Sequence, residues 1–117
     1  MTYQDAEKLL ELIRLAYPYA YRNLDDRHYR ATARMWASSF STVPYPVIEA
    51  CFNAYRMTNR YAPTVADINL QLQAYRRDLE TAMLIQRQLG NRALEERFRR
   101  ILTATDSLPP ALPDYSD

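Results

Sequence analysis

A single glycine, at position 90, stands in a chain of 117 residues. Glycine is what lets backbone turn left-handed or approach a ligand closely, so its scarcity removes whole classes of structure. A phosphate-cradling loop needs closely spaced glycines whose N–H groups reach the phosphates, and none is available. No Asn-Gly or Asp-Gly pair marks a tight hairpin, and no segment sustains the apolar and polar alternation of a strand. Helices joined by turns remain, which predicts an all-α fold.

The helix starts are written in the sequence. Thr2 with Asp5 and Thr64 with Asp67 are Thr-x-x-Asp boxes, in which each side chain accepts a hydrogen bond from the other's backbone N–H. After Thr2, Ala6, Leu9, Leu10, Ile13 and Ala16 recur at helical spacing until Tyr17-Pro18 ends the first element. A second helix is expected after Asp25 or Asp26, with Tyr29, Ala33, Trp36 and Phe40 on one face; Ser38 to Pro46 breaks it. Pro46 suits a first helical turn, and Val47, Cys51, Ala54, Tyr55 and Thr58 are expected to form the face of a third helix. The fourth, about 64–89, is expected to be the longest. Ile68, Leu72, Tyr75, Leu79, Ala82, Gln86 and Leu89 alternate spacings of four and three along it, a heptad seam. Gly90 then falls where a helix end takes positive φ, and Asn91 can cap a fifth helix, about 92–104, carrying Leu94, Phe98, Ile101 and Leu102. The Gly-Asn turn favours folding back over pairing with another chain. The expected architecture is a compact bundle of about five helices over residues 1–104, followed by a flexible, Pro-rich acidic tail, 105–117, reading TDSLPPALPDYSD.

Apolar residues at 48% and charged residues at 25% are the balance of an ordinary globular domain, and the length allows one core. No apolar run approaches the roughly 20 residues of a membrane span, and the first residues lack the layout of a secretion signal. A cytoplasmic protein is expected. Cys51, the one cysteine, excludes an internal disulfide and is expected to be a buried thiol.

Catalytic chemistries find few residues to work with. One histidine, His28, and one cysteine do not make the usual zinc site, and His28 beside Asp25 and Asp26 reads as a solvated helix start. The carboxylate pairs Asp25/Asp26 and Glu95/Glu96 are adjacent on helices and point apart. Ser38, Ser39 and Ser41 carry no nucleophile-elbow pattern. A non-enzymatic protein with no cofactor and no metal is expected.

What remains are surface signals. All but one of the fifteen basic residues are arginine, the side chain that makes forked contacts to carboxylates and phosphates. Arg76, Arg77, Arg87, Arg92, Arg97, Arg99 and Arg100 crowd the segment 76–100, and Asp106, Asp114 and Asp117 follow with no base among them. Arg92, Arg97, Arg99 and Arg100 on the fifth helix, with Leu108, Leu112 and Tyr115 as apolar anchors in the tail, are the candidate partner-binding residues. A solvated, partly ion-paired helix face is the plainer account of the arginines, and an idle terminus that of the tail. Tyr17, Tyr19 and Tyr21, with Arg22 behind them, form a second candidate surface, since tyrosine gives broad contact area at low entropy cost. Rings wrapped over helix ends in a small core are the competing explanation.

The order of these signals, a helix ending at Tyr17-Pro18, a Trp36 helix, a helix ending in Ala54-Tyr55, a polar turn, then Pro63-Thr64-Val65-Ala66-Asp67-Ile68 opening a long helix, resembles the phage-encoded loaders and inhibitors of the replicative helicase over about residues 2–80. The resemblance implies a small all-helical protein that delivers or restrains a hexameric replicative DNA helicase, with an origin-binding initiator protein as a second candidate partner and direct DNA contact not favoured. Without a nucleotide site, such a protein acts by stoichiometric binding. The alternatives are an Arg-rich DNA-binding regulator, or a structural or host-defence-inhibiting phage protein.

Overall fold

Both Thr-x-x-Asp boxes close. Thr2 Oγ1 accepts from the Asp5 N–H at 3.1 Å while the Asp5 carboxylate accepts from the Thr2 N–H at 2.9 Å; Thr64 and Asp67 repeat the exchange at 3.2 and 2.9 Å. In the computed structural model, which describes residues 1–106, the elements are α1 (Tyr3–Ala16), α2 (Asp26–Ser39), α3 (Tyr45–Arg56), α4 (Val65–Gln88) and α5 (Arg92–Asp106). Among the described residues there is no strand. The fold is a compact five-helix, all-α bundle, and α4 is its longest element at 24 residues.

Helices α1, α2 and α3 with the first half of α4 enclose the main core. Ala6, Leu9, Leu10 and Ile13 of α1, Ala33 and Trp36 of α2, Phe40 and Val43 from the loop after it, and Ile68 and Leu72 of α4 are all sealed from solvent. Trp36 and Phe40 are tilted against each other with ring centroids 6.1 Å apart. The Met1 nitrogen donates to the carbonyls of Phe40 at 3.0 Å and Val43 at 2.6 Å, fastening the start of the chain to the α2–α3 turn. Ala16, expected to continue the α1 face, is exposed because the helix ends there.

The third helix corrects the expected face. Val47, Cys51 and Tyr55 are buried, but Ala54 and Thr58 are exposed, and Ile48 and Phe52 take the inner positions. A stripe 47–48, 51–52, 55 is the i, i+4 row of a helix buried on a broad front, and position 54 lies off it. Tyr55 also ties α3 to the start of α4, since its hydroxyl donates to the Tyr61 carbonyl at 3.0 Å and stands 3.4 Å from the Asp67 carboxylate. Burial pushes the Cys51 thiol up to about 11.

Past Leu79 the seam of α4 leaves the core. Gly90 adopts φ +73°, the Gly90 and Asn91 N–H groups bond the Arg87 and Gln86 carbonyls, and Asn91 caps α5 by accepting from the Leu94 N–H at 3.2 Å. The chain thus folds back, and α5 runs antiparallel along α4 as an arm. Leu79, Leu102 and Thr105 are buried in this arm, while Tyr75, Ala82 and Gln86 are half-buried. Leu89 ends the seam 71% exposed, because it caps α4 at the turn and α5 has no residue beyond it. The fifth helix continues two residues past its expected end, and Thr105, assigned by sequence to the tail, is fully buried with its hydroxyl donating to the Leu102 carbonyl at 2.9 Å.

Candidate functional site

Two surfaces collect the side chains singled out by sequence. The first lies where the α1–α2 loop meets the start of α4. Tyr17 ends α1 and its hydroxyl donates to the Asn59 carbonyl at 2.8 Å, joining that loop to the one after α3. Tyr21 then adopts φ +57°, the left-handed region that residues other than glycine avoid. This turn carries the Tyr21 ring toward Trp36. Burial raises the Tyr21 hydroxyl's pKa, and the nearby Trp36 side chain works against that rise. Tyr19 stands 80% exposed, with the Arg22 guanidinium 5.7 Å from its ring centroid.

The result is an open groove of about 840 Å³. It is lined by Tyr19, Tyr21 and Arg22 of the α1–α2 loop, by Met35 and Trp36 of α2, and by Ala62, Pro63 and Val65 at the start of α4. Arg22 is its one charged lining residue. The structure therefore unites three of the four residues of the second candidate surface, and sends Tyr17 elsewhere. That Ala62–Ala66 completes the groove had no local signal, since those residues lie some forty positions along the chain from the tyrosines.

The second surface is the α4–α5 arm. Arg92, Arg97, Arg99 and Arg100 are all exposed on α5, but they are not equivalent. Glu95, only 14% exposed in the angle between the helices, accepts from Arg87 Nε at 2.8 Å and from Arg99 at 3.0 Å. Its carboxyl is held below the usual range, first by the Arg87 hydrogen bond. Glu96 engages Arg99 at 3.2 Å and Arg100 at 3.7 Å. Arg92 and Arg97 stand outside these ion pairs. Residues 87–100 thus set five arginines, counting Arg87, against two glutamates.

Sequence reasoning missed what lies beside them. Leu84 and Ile85 are half exposed and Leu89 is 71% exposed, three apolar residues on the last turns of α4 toward the tip of the arm, in the stretch that also carries Arg87. The signal was present, since positions 84 and 85 fall off the seam that runs through 82, 86 and 89. Leu108, Leu112 and Tyr115 lie outside the described residues.

A five-helix domain with a mixed aromatic groove on its body and a basic, apolar-tipped helical arm is the class these features define. Residues 1–69 match the family model for the N-terminal domain of the phage gene-39 protein, a helicase loader and inhibitor, and the chain belongs to this family. No curated protein and no solved structure matches the chain. The matched segment takes in α1, α2, α3 and the opening of α4, so the whole groove falls within it and the arm beyond it. Among the described residues no helix is long and apolar enough to cross a membrane.

Proposed function

We propose that this chain binds a hexameric replicative helicase through its α4–α5 arm, loading or restraining it by stoichiometric contact and without enzymatic turnover. Membership of a helicase-loading and helicase-inhibiting phage family supports the choice of partner. The observation that carries the choice of surface is the arm's tip, where exposed Leu84, Ile85 and Leu89 sit among arginines. Apolar anchors ringed by charge are the pattern of an energetic interface centre, in which the anchors supply affinity and the charges steer approach. With one glycine and one histidine in the chain, binding rather than turnover supplies the work. An origin-binding initiator protein is the second contact that would release the helicase.

The test is titration of fluorescently labelled full-length protein with purified replicative helicase at two salt concentrations. Ile85→Glu with Leu89→Glu should weaken binding at least tenfold, about 1.4 kcal/mol, at both salts. Arg92→Glu with Arg97→Glu should slow association chiefly at low salt. Unchanged helicase binding by both double variants moves the contact off the arm. Failure of the intact protein to bind any helicase, together with salt-steep binding to plain duplex DNA, replaces this reading with that of a DNA-binding regulator.

A further inference from the structure

We propose that the groove between the tyrosine loop and the start of α4 is a docking site for an acidic peptide segment of a second protein, one that carries an apolar side chain among its carboxylates. Charge names the first part of that occupant. The α1–α2 loop and the loop after α3 meet here, tied by the bond from the Tyr17 hydroxyl to the Asn59 carbonyl. No carboxylate lies between Glu11 and Asp25 or between Glu49 and Asp67, whereas Arg14, Arg22, Arg56 and Arg60 fall in those two stretches. Of the acids that bound them, Asp25 accepts from the His28 N–H at 2.8 Å, Asp67 from the Thr64 N–H at 2.9 Å and Glu11 from the Tyr29 hydroxyl at 2.6 Å. Arg14 leans on Glu11 and Arg56 on Asn53. Arg22 lines the groove, and Arg60 stands two residues before the lining residue Ala62. No carboxylate lines the groove, so the charge of Arg22 is uncompensated within it.

The lining supplies the second part. Tyr21, Met35, Trp36, Ala62, Pro63 and Val65 make most of the groove apolar, and Tyr19, Met57 and Tyr61 stand largely exposed on the two loops. Tyrosine, tryptophan, methionine and arginine, without lysine or acid, is the composition of protein–protein contact centres. Tyr21 also holds left-handed backbone, a strain that persists at ligand clamps because the surroundings over-determine it. A single-stranded nucleic acid is the rival occupant, since bases stack on tyrosine. It brings a phosphate with every base, and a groove lined by one arginine answers one charge rather than a row. An apolar side chain in the aromatic lining with a carboxylate on Arg22 uses both features at once.

The groove lies at the first turn of α4, and the exposed leucines and isoleucine of the arm lie on its last turns. The 24 residues of α4 separate the two by about 36 Å at 1.5 Å each. On the reading that the arm holds the helicase, the chain then has separate seats for two partners; the groove's own occupant does not rest on that reading. The test selects peptides from a displayed random library on the full-length protein. Recovered sequences should be rich in aspartate and glutamate around an aromatic or aliphatic residue. The tightest of them, made synthetically, should shift the amide signals of residues 19–24 and 62–66 in the isotopically labelled protein rather than those of α5. Arg22→Glu, at an exposed position, should weaken that peptide about tenfold, and a version with lysine in place of its acids should bind Arg22→Glu in preference to the parent. Arg22→Glu should bind helicase as the parent does, so failure of the groove and failure of the arm show in different titrations. No enriched peptide, enriched peptides without acids, or shifts confined to the arm overturn the proposal. Oligothymidine that shifts the same groove amides and binds tighter than any selected peptide assigns the groove to nucleic acid and overturns it equally.

Discussion

The body of this protein and its arm are built from the same helical material but stabilised differently. In the body, α1, α2, α3 and the first half of α4 bury whole side chains in one shared core, and Trp36, Phe40, Phe52 and Ile48 lose essentially all their exposure. In the arm, two helices pack mainly on each other, and only Ile101 of α5 reaches the main core. One row of side chains closes between them, and beyond Leu79 no α4 residue is fully buried. Two helices in contact can bury one stripe each and no more, so the arm leans on capping, the Gly90 turn and the Glu95 ion pairs where the body relies on apolar burial. The family match follows the same division, ending at residue 69 just inside α4. The difference teaches that the segment matching the family model is largely the one built on apolar burial, while the arm lies outside the match.

The sharpest way to break the comparison is at its centre. Trp36→Ala should cost about 3 to 5 kcal/mol, because it leaves a large cavity against Phe40; chemical denaturation showing a loss below about 1 kcal/mol would put the body on the same footing as the arm. Next comes the turn that makes the arm fold back. A Cβ at Gly90 meets no atom within 4 Å, so Gly90→Ala isolates the conformational cost of φ +73°, about 1 to 2 kcal/mol. Hydrogen exchange should show that loss in α5 and the end of α4, with α1 protected as before; equal loosening of both regions would mean that arm and body unfold together.

Smaller effects test the joint and the tip. Thr64→Ala should cost about 1 kcal/mol, by freeing the Asp67 N–H at the start of the long helix, and thermal melts of the variant would register it. Leu89→Ala should change stability by less than about 0.5 kcal/mol, as expected of an exposed side chain, and a larger loss would imply a partner already covering the tip. The finest distinction is in pH. Glu95's pKa is lowered in the fold, so its contribution is complete above its ordinary value of 4.5 and is lost as pH falls through the lowered value. Amide exchange in α5 should accelerate across that acid window, and Glu95→Gln should remove the pH dependence while leaving α1 unaffected.

Much of the fold was legible because the signals are local. A Thr-x-x-Asp box needs only four residues to close, so both helix starts stood in the sequence, as did the Gly90 turn and the Asn91 cap. The apolar face of α1 was also readable up to its last turn. The inner face of α3 was not, because Ala54 and Ile48 are both apolar and only the neighbouring helices decide which of them faces inward. The end of α5 escaped for a related reason: Thr105 is a polar residue beside a proline-rich stretch, and its burial depends on α4 lying across it.

The candidate surfaces divide in the same way. That Arg92, Arg97, Arg99 and Arg100 share an exposed helix follows from periodicity, and the chain's single glycine and single histidine already exclude a glycine-rich phosphate loop and the usual zinc site. Which arginines are held by Glu95 and Glu96, and that Tyr19 and Arg22 line one groove with Pro63 and Val65, depend on where packing places segments far apart in the chain. Helix starts, ends and faces were determined by the sequence alone, because hydrogen bonds and side-chain rows repeat within a few residues. The groove and the projecting arm were decided only by the tertiary structure, because a surface exists only once packing has settled which side chains are left outside.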